Sequence, residues 1–411
     1  MRLRRLATLA VLTAACNDPS GPSRTPRITS LPRALSAGEQ AVIGASNTFG
    51  FNLLRELEKT RADSNIFMSP LSASMALGMT MNGTAGQTFD EMRASLGFGT
   101  QPASEINASY RSLIDLLRGL DNSVDFRIAN SIWYRDGFPF SATFLDESRQ
   151  FFDARVSALD FNAASAPTTI NDWVKQSTNG KIPTIIDGAI DADAVMFLIN
   201  AIYFNGAWTT KFDKSKTRPE PFTTISGATA QVPMMNRSKD TIRVATTADA
   251  QIVELPYGGG AFAMTILLPR AGKSIGDVIP SLTAESWQAA TANLSNQAME
   301  LAMPKFRLEW EALLNDPLKA LGMVQAFTPG GADFSRMSET AGRQLFISKV
   351  KQKSFVDVHE EGTEAAAVTS VQIDLVSLPP SIRIDRPFLF AIRERLSGTI
   401  LFMGKIVRPP E

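Results

Sequence analysis

The chain has 411 residues, 44% of them hydrophobic and 20% charged, which is enough to bury one large core or two. Its 41 basic and 41 acidic residues balance, and this removes the electrostatic reason to expect nucleic-acid binding. The single cysteine and single histidine exclude an intramolecular disulfide and a Cys-rich or paired-His metal site, so neither a metal nor a cofactor is expected.

The N-terminus has the pattern of an export signal. Three arginines among the first five residues precede an apolar run over residues 6–15, which is too short to span a bilayer. The run ends in the letters LTAA directly before Cys16, and this resembles a bacterial lipoprotein signal. The resemblance implies removal of residues 1–15, a lipid on Cys16, and anchoring of the exported protein to a membrane in the cell envelope or at the cell surface. An ordinary secretory signal is the alternative. Residues 16–35, rich in proline, serine and arginine, have the composition of a flexible tether.

Two helices are predicted between residues 36 and 83. Over Ser36–Lys59 the apolar residues recur at helical spacing. Ser69 followed by Pro70 indicates a helix start. A serine side chain can cap the first turn, and proline is tolerated in that turn because the backbone N–H that it lacks would have no partner within the helix. Gly83 is predicted to end this second helix.

Further elements follow in chain order. Thr84 and Gln87 have the spacing of a capping box, and Gly97 is the predicted end of the helix that they would start. Residues 105–120 predict one more helix. A strand is predicted over Asp125–Tyr134 and a helix over Thr168–Thr178. Two apolar strands that should be fully buried follow at Val195–Phe204 and Phe262–Leu268, and a last strand is predicted over Phe346–Val358. Helices come mainly first and strands mainly last, which indicates an α+β fold.

The stretch Glu360–Ser377 carries the most information about function. Every second residue from Thr363 to Leu375 is uncharged, and these residues grow from small to large, whereas the other face of the pattern carries both acids. This suits a strand with one face in a core and one in water. Alanine is a poor strand former, however, and residues 360–367 fit the start of a helix equally well. The residues by themselves leave both structures open.

An ordered series of motifs resembles the serpin family. Residues 360–367 match the hinge of the family's reactive loop, and Asp385–Phe390 matches the signature that follows the loop. Further matches lie at residues 65–70, 200–208, 255–257, 303–306 and 401–405. The resemblance covers about residues 36–409 and implies one domain over 36–411. The implied fold is α+β, with three β-sheets, eight or nine helices and an exposed reactive-centre loop.

The resemblance also implies a suicide-substrate inhibitor of serine proteases. Counting fourteen residues on from Gly362, or eleven back from Pro387, reaches Val376, so the scissile bond is expected at Val376–Ser377. The protease would form an acyl-enzyme there, and the loop segment would insert as a new strand in the large sheet. The hinge that inserts first is Gly362, Thr363, Glu364, Ala365, Ala366 and Ala367.

The residue before the expected scissile bond indicates the target class. Val376 is small and β-branched, which suits elastase-like or broad subtilisin-like proteases. Leu375 is a secondary site for a chymotrypsin-like enzyme. Trypsin-like targets are not expected, because no lysine or arginine lies between Gly362 and Ile382.

Other positions acquire roles by the same resemblance. Glu360 is expected to pair with Lys305 at the end of the large sheet, beside Trp208, where the loop first inserts. A polar cluster under the opening strands is expected to contain Ser69, Ser72, Asn200 and Gln352. Gln352 stands where the family has a histidine, so pH dependence tied to that histidine should be absent. Glutamine both donates and accepts hydrogen bonds, so the cluster can persist.

The residues present argue against the main competing functions. A Ser-His-Asp hydrolase would have to use His359, and no G-x-S-x-G motif precedes it, so the chain is not expected to be an enzyme. A non-inhibitory serpin acting as a carrier or chaperone is the main alternative, although such hinges usually carry bulky, charged or proline residues. A heparin site is not expected, because residues 105–120 offer only Arg111 and Arg118. A monomer is expected.

Overall fold

The computed structural model describes residues 26–363 and 380–410, except for the side chain of Lys239. Within them lie nine α-helices: α1 (Ala37–Arg61), α2 (Pro70–Met81), α3 (Gly86–Ser95), α4 (Ala103–Arg118), α5 (Ala142–Phe152), α6 (Ala166–Ser177), α7 (Ile275–Val278), α8 (Ala284–Ala292) and α9 (Asn315–Ala320). The strands are β1 (Ile66–Met68), β2 (Val124–Arg135), β3 (Ala154–Leu159), β4 (Met196–Ala207), β5 (Arg218–Thr223), β6 (Thr229–Thr246), β7 (Ala250–Pro256), β8 (Phe262–Pro269), β9 (Ser295–Pro304), β10 (Phe306–Leu313), β11 (Lys351–His359), β12 (Gly362–Thr363), β13 (Ser381–Arg383), β14 (Phe388–Glu394) and β15 (Ile400–Ile406).

Side-chain caps begin four of the nine described helices, namely α1, α2, α7 and α8. The predicted start of α2 is confirmed: Ser69 caps it, with Pro70 in its first turn. This helix ends at Met81, two residues before the predicted glycine. The capping box predicted at the start of α3 is wrong, because Thr84 Oγ1 donates a hydrogen bond back to Met81 O. The residue before α3 is Ala85, which has no capping side chain.

Two strand predictions also need correction. Val195–Phe204 was predicted as a fully buried strand and corresponds to β4. Its residues instead alternate between buried and half-buried, because one face of the strand is only partly covered. β11 begins at Lys351 rather than Phe346, and Phe346 is 43% exposed in the loop that precedes it. In contrast, the full burial predicted for residues 262–268 is confirmed in β8.

A six-stranded sheet positions the candidate site. Its order is β10-β11-β12-β4-β2-β3, and its pairs are antiparallel apart from β2 with β3. Helix α2 contacts β4. Helix α6 lies against β2 and β4, where Ile170 and Val174 join Trp133 and Ile199 in a small separate core. Helices α2 and α6 thus both contact β4, and α6 does so through its own small core.

The remaining strands form one continuous hydrogen-bonded sheet in the described part of the chain. Its order is β1-β15-β14-β8-β7-β6-β9-β13, with β5 also paired to β6. The serpin resemblance implies two sheets here, three in all. They are joined because β6 is 18 residues long: it pairs with β5 at its start, with β9 from Met234 onward and with β7 at its end.

The segment from Pro26 to Leu35 is docked on the fold, unlike the flexible tether expected over residues 16–35. Ile28, Leu31 and Leu35 are partly buried against the main core, and Ile28 N donates to Gly259 O at 2.8 Å. The hydrogen bond from Arg33 lowers the pKa of buried Glu39 to about 2. Residues 1–25, with the expected signal and Cys16, lie outside the described residues. Across 26–363 and 380–410, no helix combines the length and the apolar character needed to cross a bilayer.

Candidate hinge and sheet-opening site

The chain reverses direction where the reactive loop is expected to begin. After β11 ends at His359, Glu360 and Glu361 form a turn, and Gly362–Thr363 return as the short strand β12. On one side Gly362 is paired with His359, and on the other it is paired with Ala207 of β4. The sequence left both a strand and the start of a helix open here, and Gly362 and Thr363 adopt the strand. We call residues 359–363 the hinge turn.

The strands β4 and β11 border a position for one more strand. Within the described residues, no ladder joins β4 directly to β11, and β12 is paired to both. A cleft continues beyond Thr363 between the two strands and beneath the segment that follows α6. Its lining includes Lys181, Ile202, Phe204, Phe355 and Asp357. We call these facing edges the β4–β11 seam; a strand that continued β12 along it would be antiparallel to both neighbours.

Gly362 occupies a position that only glycine fits. Its φ is +153°, and a Cβ added there would lie 2.2 Å from Gly206 O and 2.6 Å from Ala207 Cα. Both contacts are with backbone, which cannot rotate away. The close approach of β12 to β4 therefore depends on the missing side chain.

Replacing Gly362 by alanine should displace β12 from β4. We expect Gly362→Ala to lower the free energy of unfolding by about 1–3 kcal/mol, measured by urea denaturation, because the backbone must shift or strain. Gly188→Ala is the matched control, since Gly188 also has a positive φ, +77°, but meets nothing within 4 Å. Equal losses in the two variants would contradict the steric argument.

The side chain of Thr363 is already inside the protein. Thr363 is 3% exposed, and its Oγ1 lies 2.8 Å from the Tyr257 hydroxyl. Burial raises the pKa of Tyr257, although the bond to Thr363 favours its ionised form. The Tyr257 ring stacks on Trp208 with centroids 4.4 Å apart, and Trp208 Nε1 donates to His359 O at 2.9 Å. Two aromatic rings thus line the point where the loop joins the sheet.

The two acids of the hinge turn are buried and paired. Glu360 Oε2 lies 3.2 Å from Lys305 Nζ, and Oε1 accepts a hydrogen bond from Thr217. Burial favours the protonated form of Glu360, but its hydrogen bonds outweigh burial and hold its pKa below the usual value. Glu361 pairs with Lys214 at 2.5 Å. Glu360, Lys305 and Trp208 were predicted to share one site. Lys214 and Thr217 were not predicted, because they lie more than 140 residues before the hinge turn and no sequence motif connects them to it.

A second polar cluster lies between α2 and the sheet. Ser72 Oγ donates to Asn200 Oδ1, and Asn200 in turn donates to Asn130. Gln352 makes a reciprocal pair with the backbone of Ser69: its Oε1 accepts from Ser69 N at 3.2 Å and its Nε2 donates to Ser69 O at 3.0 Å. Ser69 Oγ also accepts from Ser72 N at 3.2 Å, so the four expected members form one hydrogen-bonded chain. Asn130 was missed, because its role depends on its neighbour in β4.

Removing the Gln352 amide should leave the buried N–H of Ser69 unpaired, whereas Ser69 O keeps the hydrogen bond that it accepts from Ala73 N at 3.1 Å. We expect Gln352→Ala to lower the free energy of unfolding by about 1–3 kcal/mol, the cost of one unsatisfied buried group. Gln297→Ala, at an exposed glutamine, is the control and should change it by less than about 0.5 kcal/mol. Urea denaturation of both variants checks this, and a neutral Gln352→Ala would refute the assigned contacts.

Several predicted positions cannot be placed. Glu364, Ala365, Ala366 and Ala367 of the hinge lie outside the described residues, as do Val376 and Ser377.

The two arginines of residues 105–120, where a heparin site would need clustered basic residues, both lie on α4 and pair with acids: Arg118 with Asp153 and Arg111 with Asp115.

Comparison with known proteins identifies the family. The family model described as Serpin (serine protease inhibitor) matches residues 44–409. Leukocyte elastase inhibitor of Equus caballus is 36% identical over 377 residues, covering 89% of this chain and 98% of that protein. The thermophilic serpin tengpin in its native state has a TM-score of 0.82 at 30% identity, covering 93% of this chain and 97% of that one. Thyroxine-binding globulin in complex with thyroxine has a TM-score of 0.81 at 30% identity, covering 90% and 99%.

The chain therefore belongs to the serpin family, and it has the serpin fold. Members of this family are mostly protease inhibitors rather than catalytic enzymes. The thyroxine-binding globulin shows that the same fold also serves a protein named for binding a small molecule.

Proposed function

We propose that this serpin is a suicide-substrate inhibitor of serine proteases. The observation that carries the proposal is the hinge turn: Gly362 and Thr363 are already paired between β4 and β11. Residues 363–376 would extend this strand along the β4–β11 seam. Serpin loop insertion is itself a standard example of strand addition.

The chemistry begins as ordinary proteolysis. The protease serine attacks the carbonyl carbon of Val376, the peptide bond to Ser377 breaks, and the new amine of Ser377 leaves with a proton. Val376 is then held to the protease by an ester. Insertion of the freed segment moves this ester to the far end of the seam before water hydrolyses it, so the protease stays trapped.

The free energy of insertion is large enough to distort a protease. About a dozen residues gain ladder hydrogen bonds at roughly 0.5–1.5 kcal/mol each. Burial of Val371, Ile373 and Leu375 adds roughly 1.5–3 kcal/mol apiece. The sum is roughly 10–27 kcal/mol before ordering costs, whereas a folded protease is stable by about 5–15 kcal/mol. Insertion therefore competes with the folding of the trapped enzyme.

The target class follows from the residue at the scissile bond. Val376 suits the shallow specificity pocket of an elastase-like enzyme or the broad site of a subtilisin. The similarity to a leukocyte elastase inhibitor supports the first of these. For location, the N-terminal pattern supports export and a lipid anchor on Cys16, so that a monomeric inhibitor is displayed from a membrane.

Incubation with elastase tests both the inhibition and the bond. We expect a complex that survives SDS and a released C-terminal fragment whose N-terminal residue is Ser377, whereas trypsin should yield no complex. A fragment that starts elsewhere would refute the bond assignment. Cleavage without any SDS-stable complex would refute inhibition of elastase.

A non-inhibitory carrier is the second candidate, and the resemblance to thyroxine-binding globulin favours it. The hinge opposes it, because residues 362–367 contain small side chains, a single charge and no proline. Small residues allow the first inserted pairs to form quickly, which a carrier does not require.

A further inference from the structure

His359 is the only histidine in the chain, and it stands at the start of the hinge turn. It is the last residue of β11 and pairs with Gly362 across the turn. Its ring is half-buried, and Nδ1 accepts a hydrogen bond from Glu361 N at 3.2 Å. The one side chain whose ordinary titration range spans neutral pH thus holds the turn that returns the loop to the sheet.

The contact works only while the imidazole is neutral. A side-chain acceptor that binds the N–H two residues further on is the arrangement of an Asx turn, which asparagine and aspartate form readily. In neutral histidine Nδ1 can be that acceptor, but in the imidazolium both ring nitrogens carry protons. The amide of Glu361, a residue only 4% exposed, would then face an N–H group instead of an acceptor.

The charged groups around His359 act in both directions. Asp357 on β11 and the acids Glu360 and Glu361 favour the imidazolium, whereas Lys305 disfavours it. Lys214 also lies in this group, since it is paired with Glu361. Burial is the largest effect and lowers the pKa of His359, so the ring is neutral at neutral pH and protonates below its ordinary value of 6.5.

We propose that His359 makes the docking of the hinge depend on pH: the neutral ring holds Gly362–Thr363 in β12, and the protonated ring releases them. The sign follows from linkage. His359 is harder to protonate in the docked turn than in the released turn. The stabilisation of the docked turn is therefore fully present at pH values above the ordinary pKa of histidine, and it is lost as the pH falls through the lowered pKa of His359. The consequence for inhibition rests on the proposed function: without docked residues insertion starts later, so more inhibitor is cleaved for each protease trapped.

Hydrogen–deuterium exchange of the uncleaved full chain tests the docking, with His359→Asn as the matched variant. The side-chain oxygen of the introduced asparagine can accept from Glu361 N, but the amide does not titrate in this range. The measured quantity is the exchange rate of a peptide covering residues 359–363, as the ratio of wild type to variant. We expect a ratio near one at about pH 8 that rises about 2- to 10-fold by about pH 5, the effect of one lost hydrogen bond.

A ratio that stays constant over this range would overturn the proposal, as would equal acid opening in both proteins. Trp208 emission supplies a second readout that needs no variant at residue 359. Because Trp208 donates to His359 O, the acid-induced change in emission should be present in wild type and absent from Trp208→Phe. An emission change that persists in Trp208→Phe would count against the hinge as its source.

Inhibition is measured separately, as moles of inhibitor consumed per mole of elastase. We expect the ratio of wild type to His359→Asn to rise as pH falls, while the pH dependence of the protease itself cancels. If exchange responds to pH and no complex forms, the proposed function fails and the pH-dependent hinge stands. If complexes form and exchange does not respond, the hinge proposal alone fails.

Discussion

Cleavage of the reactive loop should raise the melting temperature of this protein by about 10–20 °C, if insertion contributes on the order of 10–20 kcal/mol. The reason is that, within the described residues, Gly362 and Thr363 are the only residues paired between β4 and β11, whereas in the nicked chain the freed segment can extend this strand along the seam. Limited elastase digestion followed by calorimetry of intact and nicked protein gives the comparison.

The control for this experiment is a nicked protein that cannot insert. Thr363→Arg, cleaved in the same way, should melt at nearly the same temperature before and after cleavage. If wild-type protein also melted at one temperature in both forms, the intact fold would not be metastable, and the carrier function would be favoured over inhibition.

The second large effect is expected at Thr363 itself. Its side chain is buried and bonded to the Tyr257 hydroxyl, so Thr363→Arg would place a charge among aromatic rings without a partner. Such a burial costs several kcal/mol. The hinge should then stay out of the sheet, deacylation should outrun insertion, and the variant should be cleaved as a substrate.

The measurement is the stoichiometry of inhibition with elastase, followed by SDS gel electrophoresis. Thr363→Arg should give cleaved protein and almost no stable complex. Thr363→Ser is the matched control, because it keeps the hydroxyl that meets Tyr257 and removes only a methyl group; its stoichiometry should stay close to that of wild type. Unchanged complex formation by Thr363→Arg would mean that insertion does not proceed through β12.

Local chemistry explains which parts of the fold could be predicted from the sequence. The cap of Ser69 on α2 and the full burial of β8 depend on residues within a few positions of each other, and both are observed. The capping box predicted at Thr84 failed although its spacing was right. Its hydroxyl satisfies the end of the preceding helix, and local spacing does not indicate which helix end a side chain will serve.

The ordered motifs determined the family and the place of the hinge, because these depend on residue types in a series. Only the tertiary structure decided how the site is held together. The Gln352–Ser69 pair joins residues 283 positions apart, and the Thr217–Glu360 bond spans 143 positions. Such contacts are set by how the sheet and its neighbouring helices pack, and no period in the sequence encodes them. The same holds for His359: the sequence shows a lone histidine, and only the fold of the hinge turn brings Nδ1 to the Glu361 amide.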